Sequence, residues 1–160
     1  MPTLIGANYA STITSANLAT SGKAFGLGDL STDQDGKYWV FVQASGAIAQ
    51  YDVVYLTSAY VAATLSTSND ARGNLVAVAP IAFADTEYGW VQVKGPTTMN
   101  VKASCAANVR INTTATAGSL DDDGTAGSMQ VQGIYLTTAR GGTDGSAPGI
   151  LNNPFVDATL

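Results

Sequence analysis

The sequence contains no histidine and only one cysteine, and these scarcities exclude more chemistry than any residue present suggests. Without imidazole the commonest general base and the commonest metal ligand are both missing, so Ser-His-Asp and Cys-His machinery of the usual kind cannot be built. Cys105 has no intrachain disulfide partner, and a single thiol without histidine makes neither a disulfide scaffold nor a zinc cluster, so it is expected as a small buried residue. Charge is also scarce: 12% of residues are charged, about half the roughly 25% of an average soluble protein. The seven cations (Lys23, Lys37, Arg72, Lys94, Lys102, Arg110, Arg140) are scattered against twelve carboxylates, for a net charge of −5. No basic stripe follows a phosphate backbone, so nucleic acid is not an expected partner. No run approaches the ~18 apolar residues of a membrane span, and Met1 to Ala10 has neither a cationic nor an apolar signal region. A soluble chain outside the secretory route is expected, and no window shows a capped amphipathic helix.

What the chain does have is Ala, Thr, Gly and Ser throughout its 160 residues, enough for one domain with an ordinary core plus an extended arm. Small neutral side chains suit a protein packed against neighbours, where each buried Lys or Glu carries a desolvation cost; a Thr- and Ser-rich β surface gives the same composition. Residues 1–36 carry isolated apolar residues (Leu4, Ile5, Tyr9, Ile13, Leu18, Phe25, Leu27, Leu30) that keep neither a helical nor a strand period. They read as an extended N-terminal arm that becomes ordered against a partner, since a disordered tail is richer in charge. Gly26-Leu27-Gly28 is a flexible joint in that arm; Ser31 stands where a dinucleotide fingerprint needs its third glycine.

The texture changes at residue 37, and 37–160 is assigned as an all-β domain, a small antiparallel barrel or sandwich of seven or so short strands. Lys37 to Gln43 is aromatic and β-branched, a strand buried on both faces. Gln50 to Leu56 supplies a second strand in a hairpin-like pair with the first, and Ser66 to Asn74 is a polar loop. Leu75 to Phe83 is a third strand whose Pro80 implies an edge or a bulge. Asp85-Thr86-Glu87 turns the chain into an antiparallel Tyr88 to Val93, which Gly95-Pro96 ends. Met99, Val101 and Ala103 alternate with Asn100, Lys102 and Ser104, and Val109 and Ile111 with Arg110 and Asn112, as strands with one wet face require. Met129 to Leu136 is a further strand, and Gly141 to Gly149 a mobile glycine-rich loop. Tyr55-Leu56-Thr57-Ser58-Ala59 echoes Tyr135-Leu136-Thr137-Thr138-Ala139, but five residues do not make a repeat.

Only carboxylate chemistry is left open by composition, and the acids sit in turn contexts: Asp33 and Asp35, Asp85 and Glu87, Asp121 to Asp123. A calcium loop aligned on Gly36 puts Ser31 at the first ligand position and Val42 where a bidentate Glu is needed. Asp121-Asp122-Asp123 has the charge to gather a cation at a particle interface, but neighbours in an extended segment point opposite ways, which favours a solvated turn. Asn112-Thr113-Thr114 spells a glycosylation sequon with no consequence in a chain without a secretion signal. The expectation is therefore no catalytic residue, no metal site and no cofactor.

Several stretches carry a resemblance: Gln50-Tyr51-Asp52-Val53-Val54, Val78 to Phe83 with Ala84-Asp85-Thr86-Glu87-Tyr88-Gly89-Trp90-Val91-Gln92, Val101-Lys102-Ala103-Ser104-Cys105-Ala106, Gly118-Ser119-Leu120-Asp121-Asp122-Asp123, and Asn153-Pro154-Phe155-Val156. From about Tyr38 to Val156 the chain resembles the head decoration, or capsid cement, proteins of tailed phages; residues 1–36 lie outside the likeness. The resemblance implies a non-enzymatic small β-barrel on the outer surface of the virion capsid. It would bind the major capsid protein and itself, as a homotrimer or other homo-oligomer at local symmetry axes, and staple neighbouring subunits against internal DNA pressure. On this reading Ile5, Tyr9, Phe25 and Leu27 of the arm are the partner-binding residues, filling grooves between capsid subunits, while Trp39, Phe83 and Trp90 build the core. Three rivals remain. A tail-tube or head-fibre subunit should show a long assembly loop or a fibrous repeat, and neither is evident. A carbohydrate-binding β module would use Tyr55, Tyr60 and Tyr88 as stacking platforms. A carboxylate hydrolase would need Asp85, Glu87 and Asp121 to meet.

Overall fold

The structure, a computed structural model, describes residues 7–20 and 25–159. One short helix, α1 (Ser15–Thr20), precedes ten strands: β1 (Leu30–Thr32), β2 (Tyr38–Ala44), β3 (Val53–Leu56), β4 (Val61–Thr64), β5 (Leu75–Val78), β6 (Tyr88–Val101), β7 (Ile111–Thr113), β8 (Leu120–Asp121), β9 (Met129–Leu136) and β10 (Gly145–Thr159). The all-β expectation holds. The strands form one mixed, mostly antiparallel sheet that closes in a ring without being an even barrel.

Strand pairing resolves this sheet into two circuits of five strands. In the first, β2 lies parallel to β4, β4 is antiparallel to β3, β3 to β5, β5 to β6, and β6 returns to β2. The second repeats that order from β6 onward: β6 lies parallel to β8, β8 is antiparallel to β7, β7 to β9, β9 to β10, and β10 returns to β6. The fourteen-residue β6 is thus the last strand of one circuit and the first of the next. Local backbone repeats with the topology: Gly73 (φ 88°) and Gly127 (φ 87°) each stand two residues before the fourth strand of their circuit. The echo around Tyr55 and Tyr135 does not follow this repeat, because Tyr55 is in a second strand and Tyr135 in a fourth.

Burial follows from the strand period of two. Val40, Val42, Val54, Leu56, Val91 and Val93 meet in the core of the first circuit. The alternate residues Val53, Val76 and Val78 pack with Met99, Ile111, Leu120, Leu136 and Leu151 in that of the second, so β3 and β5 are buried on both faces. The other face of β2 and β6 carries Trp39, Phe41 and Trp90, covered by Tyr9, Ile13, Leu18 and Phe25 of the N-terminal segment. That cover is why β2 reads as a run without alternation. Phe83 belongs to the first core and the two tryptophans to the aromatic layer.

Several local expectations change. β2 and β3 form no hairpin; β4, which carries no strong sequence signal, lies between them. The intervening chain is instead held by the Ile48–Phe83 bridge and by the Tyr51 N–H bonded to the Ala79 carbonyl. β5 stops at Val78, before the missing donor of Pro80. Gly95-Pro96 does not end a strand: Gly95 (φ 97°) bends β6 from one circuit into the other, and Pro96 pairs with Ile150. The glycine-rich segment 141–149 contains the start of β10, which pairs with β6, β9 and β5. Asn112, expected in solvent, is fully buried, whereas Val109 is exposed.

Candidate assembly surface

Of the four residues assigned to partner binding, Ile5 lies outside the described residues. Tyr9 and Phe25 are brought together around Trp90. The Tyr9 ring stacks on Trp39 with centroids 4.6 Å apart and meets Trp90 edge-on at 5.8 Å, while its hydroxyl shares a 2.7 Å hydrogen bond with the Ser31 hydroxyl. Phe25 meets Trp90 edge-on at 5.1 Å and Phe41 at 5.6 Å. Ile13 ties the same segment to the sheet by paired backbone hydrogen bonds with Tyr88. Both aromatic rings therefore serve this chain's own packing. β1 also lies within 1–36 and pairs with β2, Leu30 opposite Val40.

Leu27 is different. It is 41% exposed, and Leu30 (45%) and Tyr60 (37%) are exposed with it. The Tyr60 ring lies directly on Gly28, where a Cβ would overlap it, and so sits beside the segment that carries Leu27 and Leu30. From Tyr60 a groove of about 420 Å³ runs between Leu56, Thr57 and Ser58 on one side and Gly73, Asn74 and Leu75 on the other. Leu75 stands opposite Phe155 of β10, which is 42% exposed, and the band continues there. The Arg72–Asp157 ion pair borders it, Arg72 next to Gly73 and Asp157 two residues beyond Phe155 on β10. Leu27 is exposed, and Phe155 comes to the groove only through the pairing of β3, β5 and β10, which has no local signal in the sequence.

The stacking platforms fare unequally. Tyr55 packs on the second core and Tyr88 stacks on Phe41, leaving Tyr60 as the exposed ring of the three. Three of the turn acids accept hydrogen bonds from backbone amides. Asp33 accepts hydrogen bonds from the Asp35 and Lys37 amides and from the Trp39 indole; Asp85 accepts one from the Gly46 amide and Glu87 one from the Ala84 amide. Asp85 and Glu87 flank a turn of the first circuit, whereas Asp121 lies in β8 of the second. Asp121 meets Asp122 and Cys105 instead, their ligand atoms all within 4.8 Å of one another. Burial, with the neighbouring Asp122 and Asp121 charges, pushes the Cys105 thiol up to about 12 against the opposing Asp122 backbone hydrogen bond. Burial also raises Asp121. The parallel β6–β8 pairing that creates this cluster has no signature in the local sequence.

Asp144 pairs with Lys102 and accepts a 2.9 Å hydrogen bond from the Ala103 amide. The Lys102 hydrogen bond, then the amide, holds its carboxyl below the usual carboxylate range. A depressed folded-state value contributes stability above the unfolded value, and this is lost as pH falls through the folded one. The difference in melting temperature between the wild type and Asp144→Asn should therefore be largest near neutrality and vanish in acid, below the usual carboxylate range. Melts followed by circular dichroism across pH check this.

No protein-family model matches the chain, and no curated protein sequence is significantly similar to it.

Proposed function

We propose that the chain is a non-enzymatic virion structural protein that binds the outer surface of a phage capsid and stabilises contacts between major capsid subunits. The observation that carries this reading is the exposed apolar side chains Leu27, Leu30, Tyr60 and Phe155 around the groove that Leu75 lines, on a fold where Asp33, Asp85 and Glu87 are engaged by backbone amides. Exposed, contiguous apolar surface marks an interaction site. Modest interfaces repeated over a lattice add through multivalency, so no single contact has to be strong. The partners are the major capsid protein and other copies of this chain, with neither nucleic acid nor membrane involved. Acidity also suits the outside of a shell packed with DNA.

Co-sedimentation with expanded capsids tests the reading. The wild type should bind saturably, at a simple ratio to major capsid subunits, and the particles should survive more heat. Leu27→Ser/Leu30→Ser/Phe155→Ser should keep the β spectrum yet bind about tenfold more weakly or worse, the loss expected when central apolar contacts are truncated. No binding to the shell overturns the proposal, and a large stable filament in light scattering favours a tail-tube subunit instead.

A further inference from the structure

We infer that Cys105, Asp121, Asp122 and Asn112 form a site for one borderline divalent cation of the Zn²⁺ class, independent of the capsid reading. An acidic pair beside a thiol is not by itself a site; Asn112 is the second observation. It is fully buried, and its Oδ1 is the one buried side-chain nitrogen or oxygen without a hydrogen-bond partner among the described residues. A buried oxygen without a protein partner calls for a ligand of its own. Asn112 stands directly opposite Asp121 across β7 and β8, so their side chains leave the sheet on the same face, with Cβ atoms roughly 5 Å apart. Its Nδ2 donates a 3.1 Å hydrogen bond to the Asp122 carbonyl, which fixes the amide group against the same turn. The unpaired oxygen and the only Cys–Asp–Asp cluster among the described residues thus share one place in the fold.

The charge arrangement points the same way. The ion pairs among the described residues are Arg72 with Asp157 and Lys102 with Asp144, and neither reaches Asp121 or Asp122. Two adjacent half-buried carboxylates therefore lack a cationic side chain to pair with. A thiolate selects against Mg²⁺ and Ca²⁺, which take all-oxygen shells, and with carboxylate and amide oxygens it suits zinc. Zn–S and Zn–O bonds place neighbouring ligand atoms roughly 3.5 Å apart, so the present 4.8 Å envelope must contract by about 1 Å. Side-chain rotation of Asp121 and Asp122, on the solvent side of the buried thiol, supplies that movement and the entry path. On binding, the Cys105 S–H bond gives up its proton to solvent and the sulfur lone pair joins the cation. The bound ion would tie the loop after β6 to β7 and β8, closing the first turn of the second circuit.

The test uses the full chain stripped with chelator and titrated with Co²⁺. One equivalent should bind with a thiolate-to-cobalt charge-transfer band in the near ultraviolet, and Zn²⁺ should displace it. Cys105 is the only cysteine, so this band has no other origin and needs no variant to interpret. Asn112→Asp should tighten Co²⁺ binding, Asn112→Ser should weaken it about tenfold with the band retained, and Asp122→Asn should weaken it by at least as much. No saturable binding, or binding without the band, overturns the site. Unchanged affinity in Asn112→Ser overturns the assignment of Oδ1 as a ligand.

Discussion

Trp90→Ala should lower the stability of the chain by about 3–5 kcal/mol, the range for truncating a large aromatic ring in a core. Trp90 is 2% exposed on β6. Its ring is the hub of the aromatic layer, with Phe25 at 5.1 Å, Phe41 at 5.2 Å and Tyr9 at 5.8 Å, all in edge-on orientations. These geometries add to the area term, and the backbone around the ring is held by β2 and by Ile13, so the space left by truncation cannot collapse cheaply. Urea unfolding followed by circular dichroism measures the loss. Limited proteolysis should also become faster within 7–30 than elsewhere, because Tyr9 and Phe25 lose their shared contact. A loss below about 1.5 kcal/mol would show that the layer is not packed as described. The same geometry bears on how capsid binding should be tested. Deleting residues 1–36 uncovers Trp39, Phe41 and Trp90 together. Substitutions at Leu27, Leu30 and Phe155 leave that layer in place and isolate the exposed band.

What the sequence made legible was local. Tyr38 to Ala44 and Met129 to Leu136 stand where aromatic, β-branched and alternating residues placed them. The turn roles of Asp33 and Glu87 were readable because an acid two to four residues from the amide it accepts is a short-range device, whereas Asp85 accepts from the Gly46 amide, far away in sequence. β10 was hidden because Gly145, Pro148, Gly149 and Pro154 are poor strand formers, and its order comes from three partners distant in sequence. The repeated circuit left no trace for the same reason: connectivity is conserved between the halves, whereas the side chains are fitted to different surroundings. In the candidate sites, Leu27 was found as an isolated apolar residue. Tyr60, Phe155 and Asn112 acquire their neighbours only from strands paired across the sheet. Tyr9 and Phe25 looked the same as Leu27 in sequence, since spacing does not reveal whether a ring folds back on its own sheet.

Gly133→Val should cost about 3 kcal/mol or more, from a left-handed backbone that a β-branched residue resists and from overpacking. The ladder between β9 and β10 breaks here: Ile134 pairs with Leu151 and Gln132 with Phe155, so Asn152, Asn153 and Pro154 bulge against Gly133 alone. Gly133 has φ 74°, and a Cβ on it would lie 2.8 Å from the Asn152 carbonyl oxygen and 3.2 Å from the Pro154 Cα. Both are backbone atoms, so relief requires the bulge itself to move. Gly127→Val is the matched control, because Gly127 has φ 87° with nothing within 4 Å of its Cβ position. It should cost only the conformational part. The excess of Gly133→Val over Gly127→Val, which carries the same β-branched left-handed cost without the contact, measures the steric closeness of the bulge, and no excess in urea unfolding would mean that β10 is loosely held. The bulge also fixes which face β10 shows. Phe155 reaches the exposed band opposite Leu75 while Val156 stays in the core only in this register, since a shift of one residue exchanges their faces. If the band binds the shell, Gly133→Val should weaken co-sedimentation even at temperatures where the variant remains folded, and Gly127→Val should not.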